Sequence, residues 1–276
     1  MNRFGFAMIL LVCLVCVPVR GMAQEKESYS ETIGIKMVKI PAGNFLMGFD
    51  MAGTLRPVHR VTLDAFRISA TEITQAQFKS VMGYNPSYFT DNDNLPVEKA
   101  SWFEAVNFCN KLSTLAGLDS CYMTTGEVDY FGQDHRKCDY SKNGFRLPTE
   151  AEWEYACRAG TATEYYTGAS ESDLGHAGWY RKNCGHRTHS VSQKKPNAWG
   201  LYDMHGNVWE WCCDWYYQNY NNSAGNNPTG PESGHDRVLR GGSWPDNADY
   251  CLSANRCMMR PSFKNFAIGF RIVNRP

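Results

Sequence analysis

Nine cysteines follow residue 100, at positions 109, 121, 138, 157, 184, 212, 213, 251 and 257. A thiol whose pKa is lowered is a nucleophile or redox centre, and a pair of thiolates suits a soft metal. No Cys-x-x-Cys occurs among them, so neither a zinc ribbon nor a thioredoxin-type site is indicated. The number is odd, so at least one thiol stays unpaired or pairs outside the chain. The adjacent Cys212 and Cys213 point to different faces if extended, so at most one lines any given pocket. One compact stretch, GLYDMHGNVWEW, places Asp203 and Glu210 seven apart with glycine and small residues between. Calcium takes several oxygens, carboxylate and carbonyl alike; the competing reading is a surface turn carrying two solvated acids. His186 and His189 have the spacing of a ligand pair, but a lone His-x-x-His in a polar loop is more often solvated than zinc-bound.

These residues need a frame to hold them. Residues 1–23 have Arg3, then an apolar run from Phe4 to Val17, then Gly21-Met22-Ala23, with no acid before Glu25. That is the pattern of a signal peptide, and the run is short for a membrane span. An uncleaved anchor is the alternative; Cys13 and Cys16 follow Val12 and Val15, which do not suit a lipobox. Export favours disulfides. The mature chain is then expected to be periplasmic, cell-surface or secreted, without a membrane span. Residues 24–34 are polar and expected to be flexible, and residues 35–276 form the folded domain. Alternation over Ile35–Phe45, with a turn at Pro41-Ala42-Gly43, reads as two strands; Val61, Leu63, Phe66 and Ile68 continue it. Thr74 with Gln77, Ser101 with Glu104 and Thr149 with Glu152 are capping boxes that open three short helices. Beyond Gly160 no helical period is sustained, and residues 219–234 read as a surface loop. Lys and Arg total 28 against 28 Asp and Glu, which gives no basic face for nucleic acid. With 43% hydrophobic residues the chain can bury a core, and its 24 Gly and 12 Pro call for many turns. One compact α+β domain, poor in regular secondary structure, accommodates all of this. Cys121 and Cys138 flank an insertion and would be able to pair with each other.

Five stretches, in order, carry a family likeness: Ile40 to Phe45 (IPAGNF), Gly144 to Arg158 (GFRLPTEAEWEYACR), Gly200 to Trp211 (GLYDMHGNVWEW), Arg240 to Trp244 (RGGSW) and Gly269-Phe270-Arg271. Together they resemble the formylglycine-generating enzyme (sulfatase-modifying factor) family, from about Ile35 to Val273. The resemblance implies a single compact α+β domain related to C-type lectins. It implies an oxidoreductase that converts a cysteine of a sulfatase to formylglycine with dioxygen and a copper(I) held by two thiolates. It also implies calcium held by Asp203, Gly206, Val208 and Glu210. A second family calcium site would lie between residues 177 and 197, but that stretch has no Asp or Glu. A disulfide between Cys157 and Cys257 is implied too, and Cys109, whose usual partner position is Ile272, is expected to be a buried thiol.

The chain departs from this pattern at one telling place. The resemblance puts thiols three and eight residues after Ser243; here those positions are Asp246 and Cys251, with Tyr250 before the latter in agreement. Copper(I) is soft, and a carboxylate is a poor replacement for a thiolate. Two readings follow. In the first, Cys251 is the reactive centre of an exported enzyme acting on a cysteine or thiol of a protein or peptide, with Ser243 orienting it and Trp209 walling its pocket. The rival for Cys251 itself is a buried or disulfide-bonded cysteine. In the second reading the calcium-braced scaffold is a non-catalytic module. It would hold a glycan, a peptide or an envelope partner through an aromatic loop of Trp215, Tyr216, Tyr217 and Tyr220. Asp246 favours the second.

Overall fold

The structure is a computed structural model that describes residues 29–49, 58–128, 134–218 and 225–276. The expected signal segment, residues 24–28 and Tyr220 lie outside those residues. Five α-helices are present among them: α1 Tyr29–Thr32, α2 Gln75–Met82, α3 Trp102–Leu115, α4 Glu150–Arg158 and α5 Glu171–Ala177. The strands are β1 Met37–Ile40, β2 Gly43–Met47, β3 His59–Leu63, β4 Phe66–Ser69, β5 Tyr122–Val128, β6 Asp134–Cys138 and β7 Trp209–Trp215. The last five are short: β8 Gly225–Asn226, β9 Arg237–Arg240, β10 Arg256–Met259, β11 Ile268–Gly269 and β12 Val273–Asn274. They form sheets β1-β4-β12, β2-β3-β8 and β10-β9-β7-β11, and the hairpin β5-β6.

Local chemistry explains most of these elements. Each expected capping box is made: Thr74, Ser101 and Thr149 accept the N3 backbone N–H, and Gln77, Glu104 and Glu152 reach back to the cap. A fourth box, Ser170 with Asp173, opens α5 in a stretch where no helical period is sustained. Only Leu174 and Ala177 are buried in α5, so there was no apolar stripe to reveal a period. Residues 29–32 lie ahead of β1. They form a helical turn with Ser30 buried, and its carbonyl accepts from Ile35 N–H.

The central sheet sets the site. Six of the seven β7 residues are buried, and β7 lies antiparallel to β9 and parallel to β11. The β7–β9 register slips between Trp211 and Trp215. Within that irregularity Cys212 enters the apolar cluster under α4, while Cys213 enters the one under α3. Buried charges tie α4 to the sheet. Arg256 forks onto Glu150 at 2.5 and 2.6 Å, and Glu154 accepts from Arg158 at 2.8 Å and from Arg240. Burial works against the Glu154 charge, yet the two guanidiniums hold its carboxyl below the usual range. Removing one member of such a pair leaves a buried charge uncompensated.

Candidate functional site

The segment after β9 turns twice through the left-handed region, at Gly241 (φ 98°) and Gly242 (φ 74°). A Cβ on Gly242 would sit 2.6 Å from Cys251 Sγ, so glycine is required by contact as well as by φ. This double turn delivers Ser243, Trp244 and Asp246 over the end of β7. Asp246 Oδ2 accepts from Ser243 Oγ at 2.5 Å and from Trp209 Nε1 at 2.8 Å. Partial burial nonetheless raises the Asp246 carboxyl, against the pull of these two donors. Ser243 and Trp209 therefore converge, as expected, but on a carboxylate.

Cys251 lies beneath that turn, its Sγ against Gly242 and the Ser243 backbone N–H. It ends a 3-10 turn, Ala248–Cys251, and is fully buried with Tyr165, Leu174 and Tyr180. Its Sγ faces Asn247 O at 3.9 Å. Burial, then the nearby Asp246 and Asp249 charges, push its thiol well up. A buried thiol held protonated is a poor nucleophile. Tyr250, beside it in sequence, is instead turned outward and 49% exposed. The donor set is wrong for copper(I): a hydrogen-bonded carboxylate and a buried thiol do not make the linear dithiolate that ion prefers.

An aromatic face adjoins Asp246. Trp244 donates to Phe266 O at 3.3 Å, and its ring lies 5.6 Å from Phe266 and 5.8 Å from Phe89. Tyr88 extends the row, with centroids 5.0 Å from Phe89 and 6.3 Å from Phe266. Tyr88 and Phe266 are exposed. The aromatic surface expected around residue 215 is used differently. Trp215 stacks under Arg237 at 3.3 Å and Tyr216 under Arg256 at 4.8 Å, leaving Tyr217 exposed. The Tyr88–Phe266 row was missed because its members are far apart in sequence and join only through Trp244.

The acidic stretch folds inward. Asp203 has a positive φ of 57°, which an Asp tolerates, and is buried; its Oδ2 accepts from Ser192 N–H at 2.7 Å. Its Oδ1 has no partner. Glu210 is already engaged: Arg271 forks onto it at 2.6 and 2.7 Å, and Trp153 Nε1 donates at 2.7 Å. Gly206, with its N–H on Gly241 O, and the buried Val208 complete the stretch. A residue not singled out beforehand belongs here. Glu72 is fully buried with both carboxylate oxygens unpartnered, and its pKa is pushed well up by burial and then by the Asp203 and Glu210 charges. Asp203 is pushed to about 6, chiefly by burial. Orphaned hard oxygens in a dry acidic spot suit a divalent cation of calcium's kind. They do not converge as three or more His, Cys, Asp or Glu side chains among the described residues, so carbonyls or water must complete any such shell. The only sequence signal for Glu72 was one acid inside an apolar strand-to-helix segment, Ile68 to Ile73.

His189 stacks on Trp179 at 3.7 Å and its Nε2 lies 2.6 Å from Cys184 O, which spends that nitrogen on the backbone. The implied Cys157–Cys257 disulfide is not formed. Cys157 Sγ faces Met204 O and His205 Nε2, each at 3.8 Å, with Ser253 also against it. Cys257 sits opposite Leu239 on β10, against a different apolar cluster. Cys109 is a buried thiol on α3. Cys121 and Cys138 are not bridged.

The comparisons agree with this architecture. The family model described as a sulfatase-modifying factor enzyme 1-like domain matches residues 23–276. The chaperone protein LppX of Paenibacillus barcinonensis is 31% identical, over 85% of this chain and 87% of its own. The formylglycine-generating enzyme of Streptomyces coelicolor is 32% identical, over 86% and 88%. Among solved structures, Treponema denticola variable protein 1 superimposes with a TM-score of 0.81 at 37% identity, covering 88% of this chain and 95% of that one. The chain therefore belongs to the sulfatase-modifying factor, or formylglycine-generating enzyme, family.

Proposed function

We propose that this chain is an exported binding member of its family, braced by calcium, and not a cuprous oxidase. Its ligand is a polypeptide segment received on the aromatic face beside Asp246. The observation that carries the reading is the Asp246 carboxylate tied between Ser243 and Trp209 where the family resemblance puts the first thiol, with Cys251 buried and protonated beneath. Such a site has no electron carrier, but it has a fixed hydrogen-bond acceptor next to Tyr88 and Phe266. Flat rings with a polar anchor are the composition of a recognition surface. The resemblance implies that polypeptide is what this face of the fold receives. Calcium, when bound, would neutralise Asp203 and Glu72 and stiffen the loops around residues 192 and 203; the chain's own contribution is to hold those oxygens dry. Export rests on the N-terminal segment. Among the described residues no helix is long and apolar enough to cross a membrane.

The test incubates the purified protein with copper(I), oxygen and a sulfatase-motif cysteine peptide. In parallel it screens immobilised peptide and glycan libraries against wild type and a Tyr88→Ala, Phe266→Ala double variant. The expected result is no loss of the peptide thiol, and peptide binding that the double variant reduces at least tenfold. Copper-dependent conversion of the thiol, or binding confined to glycans, would overturn the proposal.

A further inference from the structure

A second thiol site lies in a different apolar cluster from Cys251, and nothing in the binding reading uses it. Within the β7 irregularity Cys213 points under α3, toward the hairpin of β5 and β6. In that hairpin Cys138 is the direct cross-strand partner of Tyr122. Cross-strand partners share a face, and so do residues two apart on one strand. Cys138 and Tyr122 therefore project together, Tyr140 joins them from the turn after β6, and all three meet Cys213. The Tyr140 hydroxyl lies 3.2 Å from Cys213 Sγ and the Tyr122 hydroxyl 3.6 Å from it. The Cys138 thiol is within hydrogen-bonding reach of the same sulfur.

Two further observations show that the arrangement is poised for sulfur chemistry. Arg237 donates to Cys213 O and lies between the rings of Trp102 and Trp215, at 3.9 and 3.3 Å, so a buried cation stands beside the thiol. The thiol hydrogen bond from Cys138, working against burial and aided by Arg237 and the two tyrosines, draws Cys213 down to about 6. The same contact drives Cys138 upward. One sulfur is thus a thiolate held by donors and its neighbour a thiol. Exposure is divided as well: Cys138 is partly open to solvent and Cys213 is buried.

We propose that Cys138 and Cys213 form a reversible dithiol–disulfide couple that staples the β5–β6 hairpin to the central sheet. The oxidant is a small-molecule disulfide of the glutathione class. Partly exposed Cys138 passes its proton across the hydrogen bond to Cys213 Sγ and, as the thiolate, attacks one sulfur of that disulfide; the displaced small thiolate takes that proton back from Cys213 and leaves as a thiol. The Cys213 thiolate then attacks the Cys138 sulfur and expels the second small thiolate, which takes a proton from water. Two protein thiols are oxidised and one disulfide is reduced to two thiols, so atoms and electrons balance. Cys213 is the resolving sulfur because no small disulfide reaches it directly.

The experiment exposes the reduced full chain to oxidised glutathione, then quenches with acid and alkylates. Peptide mapping follows, with fragmentation that separates Cys212 from Cys213. The expected result is loss of two hydrogen masses and a single link from Cys138 to Cys213, reversed by dithiothreitol. Cys213→Ser should accumulate glutathione on Cys138 as a stable mixed disulfide, and Cys138→Ser should show neither link nor adduct. Tyr140→Phe, which keeps the ring and removes one donor, should slow closure of the mixed disulfide several-fold without changing its formation. Should Cys213→Ser fail to fold, the wild-type map and Cys138→Ser still decide. A Cys121–Cys138 link, or a folded wild type that gives no link at all, overturns the proposal.

Discussion

Replacing Asp203 by Asn separates the calcium proposal from ordinary structural roles, because its effect should change sign with the ion. Asn keeps an oxygen for Ser192 N–H, which lies 2.7 Å from Asp203 Oδ2, but removes the buried charge. Burial raises the Asp203 carboxyl from 3.8 to about 6. A group raised in the folded state contributes stability that is complete below its unfolded pKa and is lost as pH climbs through the folded one. Between about pH 4 and pH 7 the wild type therefore loses up to about 3 kcal/mol from this residue, at ~1.4 kcal/mol per pKa unit. With chelator at about pH 7.5, Asp203→Asn should be the more stable protein by up to that amount. Calcium at about a hundred times its dissociation constant adds ~2.7 kcal/mol to the form that binds it. For a chain of this length that is a rise of roughly 5–10 °C in melting temperature. At that level the gap should close, and at about a thousand times the dissociation constant, where calcium adds ~4.1 kcal/mol, the order should invert, wild type above variant. Differential scanning calorimetry on both proteins, with chelator and with calcium, at about pH 5 and pH 7.5, reads all of this. A variant less stable than wild type in chelator, together with an equal calcium response in the two proteins, would refute the reasoning.

Arg271→Met should cost about 3–5 kcal/mol in urea denaturation near neutral pH, because it strands the buried Glu210 beside Asp203; the loss should shrink toward pH 5 as Asp203, raised to about 6, takes up a proton, and a cost that is flat with pH would count against the charge argument. His205 titrates with the opposite sign. Burial holds it near 3, with Nδ1 on Cys251 O and Nε2 accepting from Tyr166 N–H. It favours the fold above its unfolded pKa of about 6.5, and that contribution fades as pH falls toward 3. Stability of Asp203→Asn measured from about pH 7 down to pH 4 should therefore fall steeply, and His205→Gln placed on that background should flatten the curve.

Legibility in the sequence followed the range of the interaction. Three helix starts were readable because a capping box is complete within four residues. Strands β1 to β4 were readable from alternation over neighbouring positions. The α5 helix was not, since Ser170 with Asp173 is a weaker signature and only two apolar residues face inward. Asp203 and Glu210 were found as a pair by spacing, yet their roles diverge in the fold. Arg271, 61 residues after Glu210, takes both of its oxygens, while Glu72 enters from the other end of the chain. No local pattern reports which buried acid has a cation already. The Cys157–Cys257 pairing failed for a related reason. The position facing Cys157 is taken by Ser253, four residues before the cysteine that the motif suggested.

Asp246 shows why the family name and the reaction come apart on this scaffold. The double-glycine turn, the Trp209 indole and the Ser243 hydroxyl are all in place, so the backbone that would present a reactive pair is intact. What differs is the atom at the convergence point. A carboxylate accepts both donors at 2.5 and 2.8 Å and is fixed by them. A thiolate in that position would be a weaker acceptor, left available to a soft metal. Accepting those two hydrogen bonds makes the loop a rigid platform, and rigidity with exposed rings favours recognition, because little is lost on ordering when a partner docks. The burial of Cys251 fits the same logic. With no metal ligand to share, its sulfur fills the space under Gly242, where a Cβ would already collide, and packing decides its fate. On the binding proposal, the identity of this one residue would move the face from electron transfer to recognition while the surrounding fold stays unchanged.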